Sequence, residues 1–291
     1  AASDVYKRQI DTTVGDNIPD TDDWAEYWDS IFSPFADWIQ TSFPHMHDTA
    51  SPVRRELVNK HGLLYTWPGS DPTLKPIVLM SHQDVVPVAN ETLDQWIHPP
   101  FSGHIDIENQ TVWGRGSVDC KLWLVSTISA VETLVKSDFK PKRTIILSIG
   151  HDEESDGKHG AQHLSAELEK RFGPGGIGMI VDEGTPLLSS ADPGSYGVPI
   201  AVPAVAERGA MNVKITITSR GGHSSMPPPH TSIGIMSLII AKLEAHPFPD
   251  VLGDESSASI RQLQCVRDAP YMPNELRQAL LKVEQAERAL S

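Results

Sequence analysis

His82 and Asp84 stand two residues apart in LMSHQDVV, at the end of an apolar run. On an extended backbone that spacing puts both side chains on one side, so the carboxylate can brace or neighbour the imidazole, as it does behind many zinc-bound histidines. A structural histidine satisfied by its neighbour would read the same way. Asp119 lies in WGRGSVDCK, where glycines permit close backbone approach. A tight turn with an aspartate cap is the plainer reading there. Glu153 and Glu154 follow RTIILSIG, with Asp152 before them and Asp156 beyond, and Asp182 and Glu183 follow IGMIV. Carboxylates crowded in this way repel, and one in a partly dry cleft is costly unless it is paired or bound to metal. Either these stretches are solvated turns or something positive sits among them. As a set they are hard nitrogen and oxygen ligands, suited to zinc or cobalt with water still coordinated. Two such ions about 3.5 to 4 Å apart form a hydrolytic centre.

The elements that must position these groups are four strand-like runs, each ending in polar chemistry. KPIVLM (75–80) leads into SHQD, TVWGRG (111–116) into SVDCK, RTIILSIG (143–150) into HDEE, and IGMIV (177–181) into DEG. Continuous apolar runs predict strands buried on both faces, and the segments 124–137 and 159–173 carry helical periodicity. The pattern predicts an α/β fold with a mixed, largely parallel sheet and flanking helices, in which sites form at the carboxyl ends of the strands. Upstream, residues 19–43 space Trp24, Tyr27, Trp28, Ile31, Phe35 and Trp38 at steps of three and four. That predicts an amphipathic helix, bent at Pro34, whose aromatic stripe is core packing. Beyond Val205, MNVKITITS alternates as a half-exposed strand, RGGHSSMPPPH is a loop, and TSIGIMSLIIAKLEAHP is a helix. Residues 10–205 are therefore expected to form a metal-binding domain and residues 206–291 the first part of an α+β lid or dimerisation domain. The chain reads as truncated at its C-terminus.

Composition narrows the function classes. The chain has 291 residues, 24 basic against 38 acidic, a net charge of −14, and no stretch that concentrates Lys or Arg. This argues against a nucleic-acid or anionic-membrane partner. No window approaches the ~20 apolar residues of a membrane span. Cys120 and Cys265 are too few for a disulfide framework. The sequons Asn90-Glu91-Thr92 and Asn109-Gln110-Thr111 favour a secretory or vacuolar lumen, with a membrane anchor through a missing N-terminus as a further expectation. Asp4 to Gln9 back-translates to the mosaic-end sequence of a sequencing adapter, so residues 1–9 read as adapter-derived.

HQDVVPV, the spaced W..PPFSG of residues 96–103, WGRGSVDCK, GHDEESDGKHGA, IVDEGTP and GGHSSMPP occur in one order. That order and spacing resemble the zinc exopeptidase family that includes carboxypeptidase S, aminoacylase and succinyl-diaminopimelate desuccinylase. From about Leu64 onward the fungal carboxypeptidase S branch is the most similar. The resemblance implies two Zn²⁺, with Co²⁺ as a substitute. It implies His82 as a ligand oriented by Asp84, Asp119 as the bridging ligand before a cis peptide bond to Cys120, and Glu154 as a ligand of the second metal. The last acidic ligand falls in Asp182-Glu183, with Asp182 preferred. Glu153 is implied as general base, and His223 as an oxyanion donor reaching across a homodimer. A final histidine ligand, expected after the lid, has no counterpart here. His45, His47, His98, His104, His159, His163, His230 and His246 fit no ligand slot, and His151 could stand behind a ligand. The implied substrate is a short or N-blocked peptide cut at its last bond. An N-acyl-amino-acid amidohydrolase with the same site is the nearest rival. A non-catalytic metal-binding homologue is the other, against which the intact Glu153 and Asp84 weigh. A solvated acidic surface or loose Ca²⁺ site is the plainest alternative, against which the placement of His82 weighs.

Overall fold

A computed structural model describes residues 10–15, 25–184, 187–205, 209, 211–249 and 257–290. The adapter-like residues 1–9 and Trp24 lie outside them. By their contacts the chain divides into two compact units, Ala1–Glu183 and Gly184–Ser291.

The first unit begins with α1 (Ala25–Ser42), which buries Trp28, Phe32, Phe35, Ala36 and Ile39 at helical spacing and carries Pro34 inside it. Tyr27, counted in the same stripe, is exposed, and its hydroxyl donates to the Thr13 carbonyl at 2.8 Å. A short α2 (Pro44–His47) follows, then strands β1 (Arg54–Val58), β2 (Gly62–Trp67) and β3 (Ile77–His82). Beyond these come β4 (His104–Asp106), β5 (Thr111–Trp113), α3 (Lys121–Lys136), β6 (Ile145–Gly150), α4 (Ala161–Phe172) and β7 (Met179–Val181).

Five strands form one sheet in the order β1-β2-β6-β3-β7. The half that carries the chemistry, β6-β3-β7, is parallel, whereas β1 and β2 pair antiparallel with each other and β2 pairs antiparallel with β6. The sheet is therefore mixed as expected, and its antiparallel half comes from a hairpin that the sequence reading passed over. Asn59 and Lys60 turn it with positive φ (46° and 69°). The run TVWGRG does not join this sheet: its strand β5 pairs with β4 in a separate two-stranded ribbon. Three residues of strand with a polar partner strand are too short to be buried on both faces, and Trp113 is only half buried.

The pleat sorts the core into two layers. Leu63, Tyr65, Leu147 and Ile149 point to the face covered by α1, α2 and α3, where they meet Phe35, Ile39, Met46, Leu124 and Ile128. Leu64, Ile146 and Val78 point to the other face, against Leu164 of α4. Each such fully buried aliphatic contributes roughly 1.5 to 3 kcal/mol, so the strand ends are held by a core on both sides.

In the second unit, α5 (Ser232–Glu244) is capped by Thr231, whose Oγ1 accepts the Gly234 N–H at 3.1 Å. Helices α6 (Ala258–Cys265) and α7 (Asn274–Leu290) follow. MNVKITITS, expected as a strand, takes no strand pairing among the described residues. Alternation gives a strand only where a neighbouring ladder satisfies its backbone.

Candidate metal centre

Three adjacent strand ends and one turn build the site. His82 is the last residue of β3 and lies in register with Gly150, the last of β6, so the acids that follow β6 emerge beside the imidazole. Strand β7 flanks β3 on its other side and delivers Glu183 two residues after its end. Asp119 enters from the turn before α3, its peptide bond to Cys120 cis. Gly116 in that turn has φ +86°, and a Cβ there would lie 2.6 Å from Val85 Cγ1, so the glycine is a steric requirement.

His82 is 2% exposed. Its Nδ1 lies 3.0 Å from the Asp84 carbonyl oxygen and 3.3 Å from Asp84 Oδ1. The expected carboxylate brace is thus joined by the main chain of the same residue. With a proton on Nδ1 directed at those two oxygens, loss of the second ring proton would leave Nε2 with a lone pair for a metal. That Nε2 faces Asp119 Oδ1 at 3.1 Å, Glu183 Oε2 at 3.4 Å and Glu153 Oε2 at 3.8 Å.

The charges show what the cluster calls for. Burial acts to lower the His82 imidazole, yet hydrogen bonding to Asp84, Cys120 and Glu183 outweighs it and holds the ring well above its ordinary range. Burial and then the Asp119 charge push Glu154 up to about 7. Glu153 is raised by burial, with Glu183 and Asp84 adding to the shift against His82. Glu183 is lowered, chiefly by its hydrogen bond to His82. Such a set demands a positive charge, which protons or a metal can supply.

The four acids of HDEESDG part ways. Asp152 is fully buried and accepts the His159 N–H at 2.6 Å and the Gly160 N–H at 2.7 Å, closing the loop into α4. Asp156 takes a left-handed φ of 79° at the surface beside Lys158. Only Glu153 and Glu154 turn to the site, and Glu154 is fixed there because its N–H donates to Asp84 Oδ2 at 3.0 Å.

Two ligand groups result. In each, one atom per residue lies within 4.8 Å of the others: His82, Asp119 and Glu154 in one, and His82, Cys120 and Glu183 in the other. The nitrogen and carboxylate donors fit zinc. Cys120 was missed as a neighbour of the site, although its place beside Asp119 was the available signal. It is fully buried, its Sγ accepts the His82 N–H at 3.1 Å, and burial pushes its thiol up to about 11, so it stays protonated. The Asp182-Glu183 pair splits. Glu183 faces His82, whereas Asp182 is exposed and its Oδ1 accepts the Glu183 N–H at 2.9 Å. Successive residues at a strand end project to opposite sides.

The remaining candidates sit elsewhere. His223 belongs to the second unit, in an exposed turn where its Nδ1 accepts the Ser225 N–H at 3.2 Å, which leaves Nε2–H as a donor. His151 is fully buried against Trp28, Phe32 and His61, with ring centroids 4.7, 5.3 and 5.6 Å away. Burial, with His61 adding to it, pushes His151 down to about 3, so the ring packs as a neutral group. Lys121 is buried too, its Nζ donating to the Ile10 carbonyl at 2.7 Å, and burial pushes it down to about 8.

The sequence profile described as "Peptidase family M20/M25/M40" matches residues 78–287. Carboxypeptidase S of Saccharomyces cerevisiae is 46% identical over 240 residues, which is 82% of this chain and 40% of that protein. Probable carboxypeptidase S-like 2 of Dictyostelium discoideum is 38% identical over 229 residues, 78% of this chain and 42% of that protein. The human N-fatty-acyl-amino acid synthase/hydrolase is 38% identical over 246 residues, 84% of this chain and 47% of that protein. Among solved structures, human carnosine dipeptidase 1 is similar with a TM-score of 0.46 and 18% identity, covering 63% of this chain and 37% of that one. The chain thus spans less than half the length of the curated relatives it matches.

Proposed function

The chain belongs to peptidase family M20/M25/M40, and from that premise we propose a metallo-exopeptidase that hydrolyses the C-terminal peptide bond of short or N-blocked peptides. One observation carries the reading: Asp119, Glu153 and Glu183 converge on His82 Nε2 from the turn before α3 and the ends of two strands flanking β3. Two Zn²⁺, with Co²⁺ as a substitute, would be held by His82, Asp119, Glu154 and an acid of the Asp182-Glu183 pair. When bound, the pair would polarise the scissile carbonyl and acidify the attacking water.

The chain's own residues do the rest. Glu153, half exposed and with a raised pKa, takes a proton from the water and returns it to the leaving amine nitrogen. Asp84 fixes the His82 ring and the Glu154 main chain together. His223, through Nε2–H, donates to the oxyanion from the partner subunit of a homodimer, with residues 10–205 as the catalytic domain and 206–291 as the first part of the lid. A vacuolar or secretory lumen is the proposed location, supported by Asn90 and Asn109, both exposed and so open to glycans. No described helix is long and apolar enough to cross a membrane.

Hydrolysis of N-acyl amino acids is the second reading, favoured by the 38% identity to the human N-fatty-acyl-amino acid synthase/hydrolase. The protein, assayed on a blocked Gly-Leu peptide and on an N-fatty-acyl amino acid with zinc and with chelator, decides. Chelator-sensitive release of leucine is the expected result. Turnover of the acyl amino acid alone establishes the second reading, and zinc binding without turnover of either makes the protein a non-catalytic homologue.

A further inference from the structure

We propose that the segment from Ile10 to Val14, tied down by Lys121, is a positioning strap for the loop His82–Val85 and thereby sets metal affinity. The proposal rests on the reading of this site as a metal centre. Strand β3 ends at His82, and the next three residues need partners for their backbone. On the sheet side they have them: the Gln83 N–H donates to the Gly150 carbonyl at 2.9 Å, and Gln83 Nε2 donates to the His61 carbonyl at 2.8 Å. On the other side the strap supplies them. Val85 N–H donates to the Thr12 carbonyl at 3.2 Å, Val14 N–H donates to the Val85 carbonyl at 3.1 Å, and Thr12 Oγ1 donates to the Gln83 carbonyl at 2.6 Å. Thr12 is fully buried, and Val14 packs with Trp28 and Phe32.

Lys121 closes the strap from a third direction. It is the first residue of α3, two beyond Asp119, and its Nζ holds the Ile10 carbonyl while lying 5.2 Å from the Phe35 ring centroid. A buried ammonium is a costly way to begin a helix where Met or Leu would pack. Here it joins the strap to the residue after the Asp119–Cys120 pair, and the charges acting on it are those of Asp11 and Asp84.

The consequence for the metal follows from His82. Its Nδ1 is hydrogen-bonded to the carbonyl of Asp84, which is part of the strapped loop, so tilting the loop turns the ring that presents Nε2.

The test uses the full chain with two variants, Thr12→Val and Lys121→Met, and the conservative Thr12→Ser. Zinc affinity is read by competition with a chromophoric chelator, beside the melting temperature of the metal-stripped protein. Each of the two variants should weaken zinc binding about tenfold, the usual scale for groups behind a ligand. The double variant should lose less than the product of the two, and Thr12→Ser should keep the parent affinity. Unchanged zinc affinity with a lowered melting temperature would show the strap to be structural only and overturn the proposal. Should Lys121→Met fail to fold, the Thr12→Val and Thr12→Ser pair decides. A parent protein that binds no zinc overturns the metal-centre reading itself, and the proposal with it.

Discussion

Asp84 Oδ2 accepts the main-chain N–H of Glu154 at 3.0 Å while Asp84 Oδ1 lies 3.3 Å from His82 Nδ1. One fully buried carboxylate therefore ties the end of β3 to the turn after β6. Asp84→Asn keeps the shape but turns an amide NH₂ toward one of two groups that need an acceptor. Zinc affinity should fall about 10- to 100-fold, measured by chelator competition; an affinity equal to the parent's would remove Asp84 from this role.

Glu153 and Glu154 are neighbours with separate tasks, and single substitutions should separate them. Glu153→Ala should lower kcat by about 10²- to 10⁴-fold with bound zinc unchanged by elemental analysis. Turnover near the parent's would mean that another group moves the proton.

Asp182 and Glu183 make opposite forecasts. Because Glu183 is the member directed at His82, Glu183→Gln should cost zinc affinity and Asp182→Asn should not. The reverse result in a titration of each variant would assign the ligand to Asp182, as the family resemblance prefers.

The carboxyl of Glu154, pushed up to about 7 by burial and Asp119, gives a pH signature in the metal-stripped protein. Its folded pKa is raised, so its contribution to stability is present below the ordinary carboxylate range and lost as pH rises through about 7. Zinc must displace that proton as well as the one on His82, so affinity should climb with pH, more steeply below about 7 than above it, by up to tenfold per unit for each proton released. Glu154→Gln should lower that slope by about one proton. An equal slope in both proteins would count against Glu154 as the titrating ligand.

His151, packed among Trp28, Phe32, His61 and His159 and beside Asp152, is pushed down to about 3 by burial. A base whose pKa is lower folded than unfolded contributes stability above its ordinary value and loses it as pH falls toward the folded one. Between pH 6.5 and 4 the melting temperature of the parent should drop more steeply than that of His151→Phe. Parallel curves would show that the ring does not titrate on unfolding.

The parallel half of the sheet was legible because each strand is a continuous apolar run that stops at a chemically distinctive residue. Ile77–His82 and Ile145–Gly150 are such runs, and His82, Glu153 and Glu154 follow from them. The β1–β2 hairpin was not legible. RRELV is mostly polar because β1 is an edge strand, half exposed along its length, and its turn uses Asn59 and Lys60 rather than a glycine pair. Cys120 was hidden for a different reason. Its contact with His82 is long-range, made by the turn that brings Asp119 in, and no local period reports it. Which of Asp182 and Glu183 faces inward depends on where β7 stops pairing, a one-residue matter that an apolar run leaves open.

The strand order β1-β2-β6-β3-β7 gives the ligand set a mechanical character. His82, the acids after Gly150 and Glu183 are tips of three neighbouring rods whose relative travel is governed by the ladder behind them. A slip of one residue would carry a tip by about 3.3 Å and turn it to the other face. Val78 and Ile146, paired across the ladder and fully buried behind those tips, therefore hold the spacing of the ligands, so the core that stabilises the sheet also gauges the centre.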